Sequence, residues 1–86
     1  MDYNSIVKHI NEAIDYYDPI GLLEMGAPKD EYIQEAKIIA SAYCKDKHLN
    51  LNEIIIKTFQ EQFEETLKQD IVNNIEQRIR YNLEKL

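Results

Sequence analysis

Apolar residues recur along this chain at intervals of three and four, the spacing that puts them on one side of a helix. Ile6, Ile10, Ala13, Ile14 and Tyr17 share a face, with Tyr3 and Val7 flanking it, and predict a first helix from about Asn4 to Tyr17, capped by Asn4 or Ser5. Ile33, Ala36, Ile39, Ala40, Tyr43 and Cys44 predict a second, starting between Asp30 and Ile33 and ending near Asp46. Leu51, Ile55, Phe59, Phe63 and Leu67 predict a third. Its start is the sharpest: Asn50 and Glu53 fit a capping box, and Leu49 and Ile54 a hydrophobic staple.

From Ile55 the apolar interval is an unbroken four through Phe59, Phe63, Leu67, Ile71, Ile75, Ile79 and Leu83. Each step of four overshoots a full turn by about 40°, so on one straight helix the stripe would wind most of the way around. One partner surface cannot cover it. A break is therefore expected near Lys68–Asp70, with Asp70 capping a fourth helix to about Lys85. No segment alternates like a strand. The fold class is all-α: a compact bundle of four main helices in a single domain over residues 1–86.

The stretch from Asp18 to Tyr32 interrupts this pattern and holds both prolines, Pro19 and Pro28, and both glycines, Gly21 and Gly26. Pro19 ends the first helix, and Asp18 can cap the N–H groups that follow. The glycines can take positive φ. Ile20, Leu22, Leu23 and Met25 are too apolar for a solvated loop, so at least two should plug the bundle and make this connector a lid over one end of the core.

The segments Asp18-Pro19-Ile20-Gly21-Leu22 and Gly26-Ala27-Pro28-Lys29-Asp30-Glu31-Tyr32 resemble the two hallmark motifs of the YugE-type family, small all-helical bacterial proteins with a domain of unknown function. The resemblance covers about Ile6 to Phe63 well and the last helix loosely. Tyr17 stands where that family usually has Trp, and Ile33-Gln34 where it often has Asp-Pro. The resemblance implies a helical fold and says nothing about activity.

Composition narrows the function. The net charge is −6, and all of it falls in residues 1–35, where eight acids face two lysines; residues 36–86 carry eight of each sign. An acidic field repels nucleic-acid phosphate and favours a basic protein partner. The longest aliphatic run, Ile54-Ile55-Ile56, is far short of the roughly 20 residues of a membrane span. The single cysteine and the lack of a leader-like pattern point to a reducing cytoplasmic setting. Cys44 sits among apolar helix positions, and His9 and His48 lack partners at metal-ligand spacing. No phosphate loop or dinucleotide fingerprint occurs. Lys45, Lys47 and His48, and separately Arg78, Arg80 and Lys85, are read as solvated helix faces.

The expectation is a non-enzymatic protein-binding module without cofactor or metal, immunity-like in one concrete version. Its contact face is placed on the first helix and connector: Asp15, Tyr16, Glu24, Asp30, Glu31 and Tyr32. Two alternatives stay open. One is a carboxylate site at Asp18, Asp30 and Glu31 for a hard cation or hydrolysis. The other is a homo-oligomer using a leftover apolar stripe on the last helix.

Overall fold

The computed structural model describes residues 2–28 and 30–85, so Lys29 of the second motif lies outside the described residues. Four helices follow one another: α1 (Tyr3–Tyr17), α2 (Ile33–Lys45), α3 (Leu51–Phe63) and α4 (Gln69–Glu84). No strand occurs among the described residues. The four-helix all-α architecture read from the periodicity is the observed one.

Each helix buries its apolar stripe. Ile6, Val7, Ile10, Ala13 and Ile14 of α1 meet Ala36, Ile39 and Ala40 of α2, Leu51, Ile55 and Phe59 of α3, and Val72, Ile75, Ile79 and Leu83 of α4 in one core. α1 packs on α2 and α4, and α3 packs on the same two, so the helices close a ring. Single bonds fix the directions. The Tyr3 hydroxyl donates to the Lys37 carbonyl at 3.2 Å and lies 3.3 Å from the Ser41 hydroxyl, which sets the start of α1 beside the middle of α2. Asn82 Nδ2 donates to the His9 carbonyl at 3.1 Å, and α4 runs antiparallel to α1.

The helix ends show where local chemistry decides. Asp2, rather than Asn4 or Ser5, caps α1, its carboxylate accepting the Ser5 N–H at 2.7 Å. An anion at the positive end of a helix is the better cap. Asn50 caps α3 and accepts the Glu53 N–H at 3.2 Å, as the sequence predicts. The break after α3 comes earlier than expected. Glu64 takes a left-handed conformation, φ 56°, directly after Phe63. The next four residues double back along α3, where the Thr66 hydroxyl donates to Gln60 Oε1 at 2.6 Å. Asp70 does not cap α4: Lys68 is the N-cap residue, without a side-chain bond, and Asp70 lies in the first turn.

No glycine or proline forces that break, and a polar cluster sets how α3 and α4 meet after it. Asn52 Nδ2 donates to Asn73 Oδ1 at 2.9 Å and to Glu76 Oε1 at 3.0 Å, and Gln69 Nε2 donates to Asn52 Oδ1 at 2.6 Å. Sliding α4 by a turn would break all three bonds while leaving the apolar stripe nearly in place.

Candidate functional site

The connector closes on itself through two side chains. α1 ends at Asp18, which adopts a left-handed conformation, φ 45° and ψ 59°, and returns its N–H to the Ile14 carbonyl at 2.9 Å. Asp tolerates this region better than most residues because its short side chain bonds locally. Asp18 Oδ1 accepts the Leu23 N–H at 3.0 Å, and Oδ2 accepts the Glu24 N–H at 2.9 Å. The Tyr32 hydroxyl donates to Asp18 Oδ1 at 2.6 Å and itself accepts the N–H groups of Ile20, at 3.1 Å, and Leu22, at 3.4 Å. One carboxylate and one phenol thus satisfy four backbone donors that the turn cannot pair internally.

Gly21 (φ 79°) and Gly26 (φ 94°) make the two sharp corners. Ile20, Leu22 and Leu23 pack against the core, so the connector is the expected lid. Met25 departs from that expectation. It stands at the outer turn and its side chain is 77% exposed, although its N–H bonds back to the Gly21 carbonyl at 3.1 Å.

Burial works against the Asp18 carboxylate, but the Tyr32 hydroxyl and the Leu23 and Glu24 N–H groups outweigh it and hold its pKa below the ordinary range. Burial, reinforced by the bond to Asp18, pushes the Tyr32 phenol up to about 12. Such an arrangement is built for holding shape. The oxygens of Asp18 already face donors, and among the described residues no three His, Cys, Asp or Glu side chains gather to hold a metal ion. Asp30 and Glu31 lie exposed on the turn before α2.

The six residues expected to form a contact face divide. Tyr32 is the correction: its side chain is fully buried against Phe59 and Phe63, with ring centroids 6.1 and 6.3 Å away. It holds the connector and offers nothing to a partner. Glu24, Asp30 and Glu31 are exposed. Asp15 and Tyr16 line an open groove of about 590 Å³ with Lys8, Asn11, Glu12 and the connector's Leu23. Tyr16 is 63% exposed.

Arg78, Tyr81 and Lys85 add to this face from α4. The Arg78 guanidinium lies over the Tyr16 ring, 4.1 Å from its centroid, and 6.0 Å from that of Tyr81. The Lys85 ammonium lies 4.2 Å from the Tyr81 ring, and its hydrogen bond and charge draw the Tyr81 phenol below its usual value. Arg80 differs, pairing with Glu76 at 3.0 Å. Reading Arg78 and Lys85 as merely solvated misses their aromatic seats. The cue was present in Arg78 and Tyr81 being three apart on one helix, but the link to Tyr16 spans two helices.

Cys44 sits differently than expected, and Glu35 is buried though charged. Cys44 is exposed, because it falls one position beyond the stripe that Tyr43 continues. Glu35 is buried in the first turn of α2, 3% exposed, with Oε1 lacking a hydrogen-bond partner. Its burial, opposed by its own N–H and abetted by nearby Glu31, raises its pKa. The apolar stripe of α4 is turned into the core: Val72, Ile75, Ile79 and Leu83 are all buried. No helix among the described residues is long and apolar enough to cross a membrane. Comparison with known proteins finds no matching family model, no matching curated protein and no matching solved structure.

Proposed function

We propose that this chain is a non-enzymatic protein-binding module that docks a basic protein surface through α1 and the connector. The contact residues are Asp15, Tyr16, Glu24, Asp30 and Glu31, with Tyr32 acting beneath them as the strut of the connector. An immunity-like role, covering the basic surface of a toxin in the cytoplasm, is one concrete form, and the likeness of the connector motifs to the YugE-type family neither adds nor removes an activity.

The observation that carries this reading is where the excess charge lies. Glu12, Glu24, Asp30 and Glu31 are exposed, and none has an ion-pair partner among the described residues. Glu12 lines the groove beside Tyr16, which is 63% exposed, and an exposed tyrosine beside carboxylates is material that protein interfaces favour. The connector that presents Glu24 is held rigid by Asp18 and Tyr32, so little ordering entropy is lost on docking.

The test is a pull-down at low salt from the cells that make the protein, with wild type beside Asp30→Lys/Glu31→Lys and Tyr16→Ala. A protein retained by wild type and released by both variants supports the reading. No retained protein at low salt overturns it.

A further inference from the structure

A second groove, of about 330 Å³, opens between the end of α1 and α4 and is lined by Tyr17, Gln77, Arg78 and Tyr81. It shares no lining residue with the groove of Asp15 and Tyr16. Its chemistry is also the opposite. Among the described residues no carboxylate lines it, in a chain whose net charge is −6. Glu84, an acid near the same helix end, lines a different groove with Tyr43 and Arg80.

Arg78 is half-buried and has no ion-pair partner among the described residues, whereas Arg80, two positions on, is paired with Glu76. The Arg78 guanidinium is seated over the Tyr16 ring, 4.1 Å from its centroid, and Tyr17 meets that ring edge-on at 4.9 Å. A ring attracts a cation through its face but is a poor hydrogen-bond acceptor. The seat therefore positions the guanidinium and leaves its planar fork of N–H donors unspent.

We infer that this groove binds a small aromatic acid, with the acid's oxygens on the Arg78 fork and its ring against Tyr81. The fork matches the paired oxygens of a carboxylate or a phosphate. The Tyr81 ring, 51% exposed, lies 6.0 Å from the Arg78 guanidinium, close enough to stack on a ring attached to an oxyanion that Arg78 holds. The Lys85 ammonium, 4.2 Å from the Tyr81 ring, adds a second positive charge at the far edge. The volume is at the low end for small-molecule sites, which suits one ring and its acid group. The overall field of the chain repels anions, so saturable binding here must come from these local groups. A basic protein surface would meet Arg78 and Lys85 as like charges, so the inference does not rest on the partner proposed above.

Titration of the full ¹⁵N-labelled chain, followed by nuclear magnetic resonance, tests it. The probes are sodium benzoate and phenyl phosphate, with acetate and inorganic phosphate as ring-free counterparts and sodium chloride as the ionic-strength control. At least one aromatic probe should give saturable shifts at the Arg78 Nε–H and the Gln77 side-chain amide, with a Kd on the order of 1 mM. Its ring-free counterpart should bind at least tenfold more weakly. Whichever aromatic probe binds more tightly identifies the acid as carboxylate or phosphate. Arg78→Gln should weaken binding at least tenfold, and Arg80→Gln should leave it within twofold. Tyr81→Leu keeps the cation and removes the ring, and should bring the aromatic probe down to the level of its ring-free counterpart. Each variant is checked for helix content. Shifts that do not saturate, or that chloride reproduces, overturn the inference. So do equal losses in the Arg78 and Arg80 variants, or ring-free probes that bind as tightly as aromatic ones. The pull-down with Asp30 and Glu31 reversed is independent of each of these outcomes.

Discussion

Tyr32→Phe isolates the latch between connector and core, because it removes one oxygen and keeps the buried ring. Three hydrogen bonds go with that oxygen: the one donated to Asp18 at 2.6 Å, and those accepted from Ile20 and Leu22 at 3.1 and 3.4 Å. A hydrogen bond to an ionised group contributes about 1.5–3 kcal/mol net. The Ile20 N–H, only part-buried, adds the low end of the penalty for an unpaired donor, about 1 kcal/mol, and the longer Leu22 bond adds little. The expected loss is about 3 kcal/mol, against a total of roughly 4–13 kcal/mol for a domain of this length. Asp18→Asn keeps the side-chain shape and the tolerance for positive φ but sets an amide donor against the Glu24 N–H. It should cost about 2 kcal/mol. In the double variant the two losses should fall short of adding by at least about 1 kcal/mol, since both remove the same short bond. Urea unfolding followed by far-ultraviolet circular dichroism measures all three. A Tyr32→Phe variant within about 0.5 kcal/mol of wild type, the scatter of ordinary surface changes, would falsify the account.

Three further outcomes follow from the same geometry. The Tyr32 pKa is raised from 10.0 to about 12, so its contribution is fully present below pH 10.0 and is lost as pH climbs through about 12; that of Asp18, whose pKa is lowered, is present above 3.8 and lost as pH falls through the folded-state value. Wild type and Tyr32→Phe should therefore converge in stability at both extremes, as pH-dependent melting will show. Glu35→Gln should stabilise by about 1 kcal/mol at neutral pH, because it removes a charge whose buried oxygen lacks a partner. The raised Glu35 pKa gives the sign: the penalty grows as pH rises through the folded-state value, and the gain should vanish in acid, where both forms are neutral. Gly26→Ala should cost about 1 kcal/mol although nothing lies within 4 Å of the added methyl, since φ 94° strains any L side chain. A thermal scan showing no loss there would mean the turn relaxes.

The helices were legible because burial and spacing are the same fact in an amphipathic segment: Ile6, Ile10 and Ile14 are buried because they share a face. The drift of the four-residue repeat foretold the break before α4, since geometry alone forbids the continuous helix. What escaped lay between elements. Tyr32 reads as a surface aromatic from its acidic neighbours Asp30 and Glu31, yet its hydroxyl serves a carboxylate 14 positions earlier, a pairing no periodicity encodes. Likewise Arg78 shows its charge in the sequence but not the ring it covers on another helix. Cys44 and Glu35 mark the limit of face assignment near helix ends, where one position decides between core and water.

The Asp18–Tyr32 pair also orders the assembly of the molecule in time. It joins residues 14 apart, while the bond tying α4 back to α1, from Asn82 to His9, spans 73. Closing the longer loop is entropically harder, and contacts of short separation form first. The α1–connector–α2 hairpin should then condense early as a local unit, leaving α4 to dock last. Elements that arrive last with the fewest local ties tend to open first, and the amides of α4 should exchange with deuterium ahead of those at the centre of α1.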